Sequence, residues 1–142
     1  MAHVSEIETG ADCPFCAVIA GSLPHHIIDQ DVDWIAFLNI APAAPGHTLV
    51  VPKLHAAFLW DLHPETAASL GMGLQRVARR LEDRLRPDGL TVFQSNRSAG
   101  WQTVLHAHFH LVPRSNNDEL VPSWTKRDSD PRELAEIAAR LT

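Results

Sequence analysis

The chain predicts an α+β domain built on an antiparallel sheet. Five short apolar or alternating runs outnumber the helical stretches, several of them are joined by links short enough for hairpins, and one long segment carries apolar residues at three- and four-residue spacing. At 142 residues it is long enough for one domain, 1–142, with a real core, and 45% hydrophobic with 20% charged residues is ordinary for a globular protein. A formal charge of −5 argues against a general binder of nucleic-acid backbones, which needs a basic stripe. A local cluster of donors can still hold a small phosphorylated ligand. Residues 1–12 are polar, with neither a basic start nor an apolar core of a leader, and no membrane span is evident, so a cytoplasmic protein is expected.

Residues 13–20 suit a short helix, with Asp12 as N-cap, Pro14 in the first turn and Gly21 as terminator. Two short strands follow at 27–30 and 34–38 around an Asp-rich turn. Residues 39–46 hold too much Pro and Gly for regular structure, and 47–51 then reads as a strand closed by Pro52. From 64 to 86, Leu70, Leu74, Val77, Leu81 and Leu85 trace one face of an amphipathic helix despite Gly71 and Gly73, and Pro87 with Gly89 stops it. Strands at 90–94 and 103–113 flank a polar loop, 95–102. Asp130-Pro131-Arg132-Glu133 starts a last helix bearing Leu134, Ile137 and Leu141.

The 103–113 run contains His106, His108 and His110. On a strand these three leave one face, spaced roughly 6–7 Å apart, while Leu105, Ala107, Phe109 and Leu111 face a core. Each histidine forgoes about 1.5–3 kcal/mol of apolar burial, so packing alone does not account for three of them. Imidazole is both the commonest metal ligand and a nucleophile or acid/base near neutral pH, and both roles are open. Cys13-Pro14-Phe15-Cys16 adds a C-x-x-C. It can be a redox pair, half of a zinc site or two unrelated thiols; a thioredoxin-like reading lacks the leading strand, and a tetrahedral zinc site needs two more ligands. His106 and His55 are available, though periodicity does not show that the four meet. His25 and His26 read as solvated, Trp34 and Trp60 as packing residues, and Lys126-Arg127 and Arg79-Arg80 as solvated faces. Trp124 is the one tryptophan held open as a border of a substrate pocket.

His106-x-His108-x-His110-Leu-Val, the C-x-x-C, Ala36-Phe37-Leu38-Asn39-Ile40, the stretch from Ala44 through Gly46-His47 to Pro52-Lys53-x-His55, and the segment from Asn96 to Val104 occur in the order seen in the histidine triad family. Together these blocks resemble its Hint and bacterial HIT nucleotide hydrolases. The resemblance implies a HIT-like fold: an antiparallel five-stranded sheet, one long and one or more short helices, a core at about 12–114 with a tail and helix at 115–142, and a two-fold homodimer through the long helix and triad strand. It implies structural zinc on Cys13, Cys16, His55 and His106. It makes His108 the nucleophile, with His110 and His47 at the same phosphate, and Asn96, Gln102 and Thr103 in the loop that holds phosphate and leaving group. Asn39 matches a ribose-contacting position, and Phe15, Val18, Leu23, Phe37 and Leu38 match the apolar nucleoside pocket.

The implied activity is hydrolysis at the α-phosphate of a purine nucleoside phosphoramidate or related nucleotidyl conjugate through a nucleotidyl-histidine, with no nucleic-acid or membrane partner. A dinucleoside polyphosphate hydrolase or phosphorylase, and a catalytically weak zinc-stabilised nucleotide-binding protein, are the alternatives. Two positions depart from the pattern. Asn39 replaces an Asp, keeping an acceptor without the charge. Trp101 replaces a Gly before Gln102, so a positive φ needed there is expected to shift to Gly100. His110, where related transferases have Gln, favours hydrolysis over transfer.

Overall fold

Cys13 rather than Asp12 caps the first helix, its Sγ accepting the Cys16 N–H at 3.2 Å, and the helix α1, Pro14–Ala20, ends on Gly21 as the sequence indicates. The computed structural model describes residues 12–121 and 124–142; the reading of a leaderless start concerns residues 1–12, of which 1–11 lie outside them. Strands β1 (Ile27–Gln30), β2 (Trp34–Leu38), β3 (Thr48–Pro52), β4 (Gly89–Gln94) and β5 (Phe109–Arg114) form a sheet in the order β1-β2-β3-β5-β4, every neighbouring pair antiparallel. The long helix α2, Pro64–Leu85, connects β3 to the edge strand β4, and α3, Pro131–Leu141, follows the sheet in the chain. Among the described residues no helix is long and apolar enough to cross a membrane.

The strand pairings sort the side chains onto two faces. Trp34, Ala36, Val50 and Leu111 point to α2 and meet Leu70, Val77 and Leu81 there. Ile35, Phe37, Leu49 and Val51 point the other way and are covered by Phe15 and Val18 of α1. His110 pairs with Leu49 on one side and Phe93 on the other, so its ring leaves the face opposite α2. Two glycines allow the close approaches that the α2 face needs. A Cβ on Gly73 would lie 2.7 Å from the Trp34 ring, and one on Gly46, at φ +89°, would lie 2.5 Å from Leu85.

The sequence expectation fails most clearly at the triad strand. Regular pairing begins at Phe109, and the stretch before it, with His106 and His108, lies outside the ladder. There Ala107 N–H donates to Ala56 O at 2.7 Å instead of to a neighbouring strand. Leu105, expected in the core, is 47% exposed for the same reason. His25 is also not simply solvated: it is half-buried, its ring lies edge-on to Phe37 with centroids 5.2 Å apart, and its Nδ1 is buried without a partner among the described residues. Arg79 and Arg80 are exposed, as expected of a solvated face, and Arg80 is held there by Asp29 at 3.2 Å and by the Ile28 carbonyl. Trp34 is buried in the core as expected, whereas Trp60 is about half exposed, its ring tilted against Phe58 with centroids 5.3 Å apart.

Candidate functional site

Cys13 and Cys16 lie one helical turn apart at the start of α1, which turns both thiols toward the ends of two other segments. His55 arrives from the chain just after β3, and His106 from the stretch just before β5. The Sγ of Cys13 lies 3.7 Å from His55 Nδ1 and 3.4 Å from His106 Nδ1; the Sγ of Cys16 lies 3.2 and 3.5 Å from the same atoms; the two nitrogens are 3.0 Å apart. A tetrahedral zinc with ordinary Zn–S and Zn–N bonds requires S···N edges of roughly 3.5 Å. The four ligand atoms all fall within 4.8 Å of one another, so the residues fit such an ion.

The chemistry of the donors agrees with that geometry. Burial, then the hydrogen bond and charge of Cys13, push the Cys16 thiol up to about 12, so two thiolates here call for a cation between them. His106 Nε2 donates to the Pro52 carbonyl at 2.8 Å, which leaves the Nδ1 lone pair aimed at the sulfurs. Burial lowers its pKa to about 4, and it is therefore a neutral ligand at pH 7.

Two residues on, His108 donates from Nδ1 to the carbonyl of His106 at 2.7 Å. The tautomer is thereby fixed, and the lone pair sits on Nε2, which takes no hydrogen-bond partner among the described residues. His108 is buried, and its pKa is lowered by that burial. Phe15 holds the ring edge-on, centroids 5.0 Å apart.

His47 and His110 form a directed chain beside it. The Ala43 N–H donates to His47 Nδ1 at 3.0 Å, so the His47 proton is on Nε2, which donates to His110 Nδ1 at 2.9 Å. His110 is left with its proton on Nε2, pointing onward. Its ring centroid is 4.9 Å from that of His108, and Phe93 stacks flat on it at 4.3 Å. Burial, then the nearby His108 and His47, depress the His110 pKa to about 3, and burial lowers that of His47. Asn39 Nδ2 stands 3.5 Å from His47 Nε2, but both atoms are donors, so this contact is no hydrogen bond. Asn39 instead accepts the Ala41 N–H on its Oδ1.

The loop between β4 and the triad is held by its own amides. Gln102 accepts the Arg97 N–H at 2.7 Å and donates to the carbonyls of Ala57 and Val104 at 2.7 and 2.9 Å, which commits its whole carboxamide to backbone. Asn96 accepts the Leu59 N–H and pairs with Gln94. Thr103 is exposed. The expected shift of positive φ to Gly100 does not occur: Trp101 itself is left-handed at φ +72°, and Arg97 sits at φ +64°. Outside glycine this region costs about 1–2 kcal/mol per residue, and the Gln102 contacts are what hold the turn. The Trp101 ring stacks on Trp124 at 5.6 Å.

Of the apolar residues singled out by sequence, Phe15, Val18 and Phe37 are buried together, Leu38 is half-buried and Leu23 is 38% exposed. Sequence reasoning missed Ala43 and Phe93. Ala43 acts through its backbone N–H and leaves no signal in residue type, whereas Phe93 could have been found by registering β4 on the triad, where it stands directly opposite His110.

The family model described as "HIT domain" matches residues 20–117. The chain is similar to the crystal structure of a HIT family member from Bacillus subtilis, with TM-score 0.86 and 32% identity over 92% of this chain and 94% of the other. It is also similar to a zinc-bound histidine triad family protein from Mycobacterium smegmatis, with TM-score 0.72 and 37% identity over 90% and 96%. An adenosine 5′-monophosphoramidase of Saccharomyces cerevisiae is 33% identical over 92% of this chain and 81% of its own length.

Proposed function

Because the chain belongs to the HIT domain family, we propose that it is a nucleotide hydrolase that attacks the α-phosphate of a purine nucleoside phosphoramidate or related nucleotidyl conjugate through His108. The observation that carries this reading is the His108 ring: buried, neutral, and fixed by the His106 carbonyl with its Nε2 lone pair available. That nitrogen attacks phosphorus without first losing a proton. The bond from phosphorus to the leaving nitrogen breaks, the leaving group keeps the electron pair and takes up a proton from water, and a nucleotidyl-His108 remains. A second water then displaces His108 and releases the nucleotide. The positive charge that the ring carries in the intermediate is delocalised toward Nδ1, whose N–H already bonds to a carbonyl oxygen.

Positioning and charge stabilisation dominate transfers of this kind. His47 and His110 supply them: the relay from Ala43 through His47 orients His110 so that its Nε2–H donates to a phosphate oxygen. Loss of one such donor typically costs about 10²–10³ in rate. Asn96 and Gln102 act by shaping the loop, with Thr103 as the exposed hydroxyl within it, while Asn39 meets the ribose and Leu23 and Leu38 meet the base, backed by the buried Phe15, Val18 and Phe37. Zinc on Cys13, Cys16, His55 and His106 is structural in this reading and supplies no chemistry. Ligand thiols also suit the reducing cytoplasm. The chain acts as one domain and as a two-fold homodimer. The monophosphoramidase activity named for the yeast relative supports the choice of substrate.

The test is AMP release from adenosine 5′-phosphoramidate by the wild type and by His108→Ala at equal zinc content. Release by the wild type, reduced at least about 10³-fold in the variant, is expected. Absence of release by the wild type while AMP still binds sinks the phosphoramidase reading and leaves the dinucleoside polyphosphate and binding-protein alternatives.

A further inference from the structure

One row of side chains runs across all five strands on the face opposite α2. Phe93 stands opposite His110, His110 opposite Leu49, Leu49 opposite Phe37, and Phe37 opposite Ile27. Residues directly opposed in antiparallel strands send their side chains to the same face. The pairing runs on past the start of β1, since the Leu38 N–H donates to His26 O at 3.0 Å, and it brings His25 to the far end of this row. There the His25 ring lies edge-on to Phe37, centroids 5.2 Å apart. Two strand spacings, roughly 10 Å, separate His110 from Phe37. A nucleoside monophosphate held by its phosphate at the histidines spans that distance with its base, and between the two ends the row offers carbon alone.

The His25 ring has a direction. Its Nδ1 is shut away with no hydrogen-bond partner among the described residues, while its Nε2 is engaged by none of them and stays reachable. A buried lone pair without a partner is borne more readily than a buried N–H without one, so Nδ1 keeps the lone pair and Nε2 carries the hydrogen. The ring therefore presents one donor at the end of an apolar row. A donor so placed separates bases by their acceptors, a discrimination that apolar walls make poorly.

We propose that His25 reads the base: its Nε2–H donates to a ring nitrogen of the bound purine. The proposal rests on the reading that a purine nucleotide binds with its phosphate at His108. It adds one hydrogen bond, and with it a basis for choosing among bases, to a pocket otherwise made of apolar contacts.

The test is calorimetric binding of AMP and of its 1-deaza, 3-deaza and 7-deaza analogues to the zinc-loaded wild type and to His25→Phe. Each analogue replaces one ring nitrogen by C–H and keeps the shape of the base. One of the three is expected to bind the wild type about three- to tenfold more weakly than AMP, the worth of one neutral hydrogen bond. His25→Phe keeps a ring against Phe37 without the donor, and in it that analogue is expected to come within about twofold of AMP. His25→Ala, which removes the ring as well, is expected to show the same near-equality. Reading the analogue-to-AMP ratio removes any general loss of affinity. Discrimination that survives in either variant, or none in the wild type, overturns the proposal. Wild-type release of AMP from adenosine 5′-phosphoramidate is followed in parallel. Release without discrimination overturns the role of His25 alone, and discrimination abolished by His25→Phe without any release overturns the phosphoramidase reading alone.

Discussion

At the scale of single residues the site depends on four imidazoles being neutral. His106, His108, His110 and His47 all have lowered pKa values, first because burial penalises the charged ring. An unfolded histidine titrates near 6.5. Between that value and about 3 for His110, the unfolded chain binds protons that the folded chain refuses. Stability from these rings is therefore fully present above about pH 6.5 and is lost as pH falls toward their folded values. Two measurements check this: the urea midpoint falls from pH 7 to pH 4.5, less so in His110→Gln, and the His110 Cε1–H resonance keeps its neutral position down to pH 5. A His110 resonance that titrates near 6.5 sinks the account. The histidines themselves were legible from spacing. Their tautomers were not, because three are set by a main-chain group, His106 O, Pro52 O or the Ala43 N–H, and that of His110 follows from His47. Backbone partners have no letter in the sequence.

At the scale of elements, α2 shows where local rules and packing diverge. Its helical period was plain, and its apolar stripe does bury Leu70, Val77 and Leu81 against the sheet. Gly73 was a puzzle on propensity alone and is explained by Trp34, whose ring occupies the space of a Cβ. Gly73→Ala is expected to cost about 1–3 kcal/mol through overpacking, despite the better helix propensity of alanine. At the other end Arg86 closes the helix at φ +48°, exposed. Arg86→Gly is expected to stabilise by about 1 kcal/mol, because glycine takes this cap without strain. Thermal melts of the two variants moving in the same direction would contradict this. The triad strand was read six residues too early, from 103 instead of Phe109. Alternation of apolar and polar residues marks an extended segment, but it does not say which segment finds a ladder partner. Ala107 finds Ala56 outside the sheet, and the chain around His106 turns into the cysteine corner.

At the scale of the whole molecule the Cys₂His₂ corner ties three distant pieces of chain: the start of α1, the residues after β3 and the residues before β5. His108, the proposed nucleophile, is attached to this corner by a single backbone step, since His106 offers its ring to the thiols and its carbonyl to His108. Chelation of the metal is expected to lower the melting temperature by about 5 °C or more, and zinc to restore it. A melt indifferent to chelator means that the corner holds without an ion. The five-stranded antiparallel sheet was legible from strand count and the family resemblance; its order, and the two-faced division that puts α2 behind the sheet and the histidines in front, follow from the pairings and registers.

The two outer strands of that sheet are unlike each other. β1 is guarded: Asp29 within it is fastened to Arg76 and Arg80, and its neighbour Asp31 to Arg76. β4, Gly-Leu-Thr-Val-Phe-Gln, has neither charge nor proline to repel a visitor, and Val92 and Phe93 are left exposed on it. A sheet with one sealed hem and one raw hem can be sewn to a single copy of itself and then has no seam left, so association along the strands ends at a pair and cannot run on into a fibre.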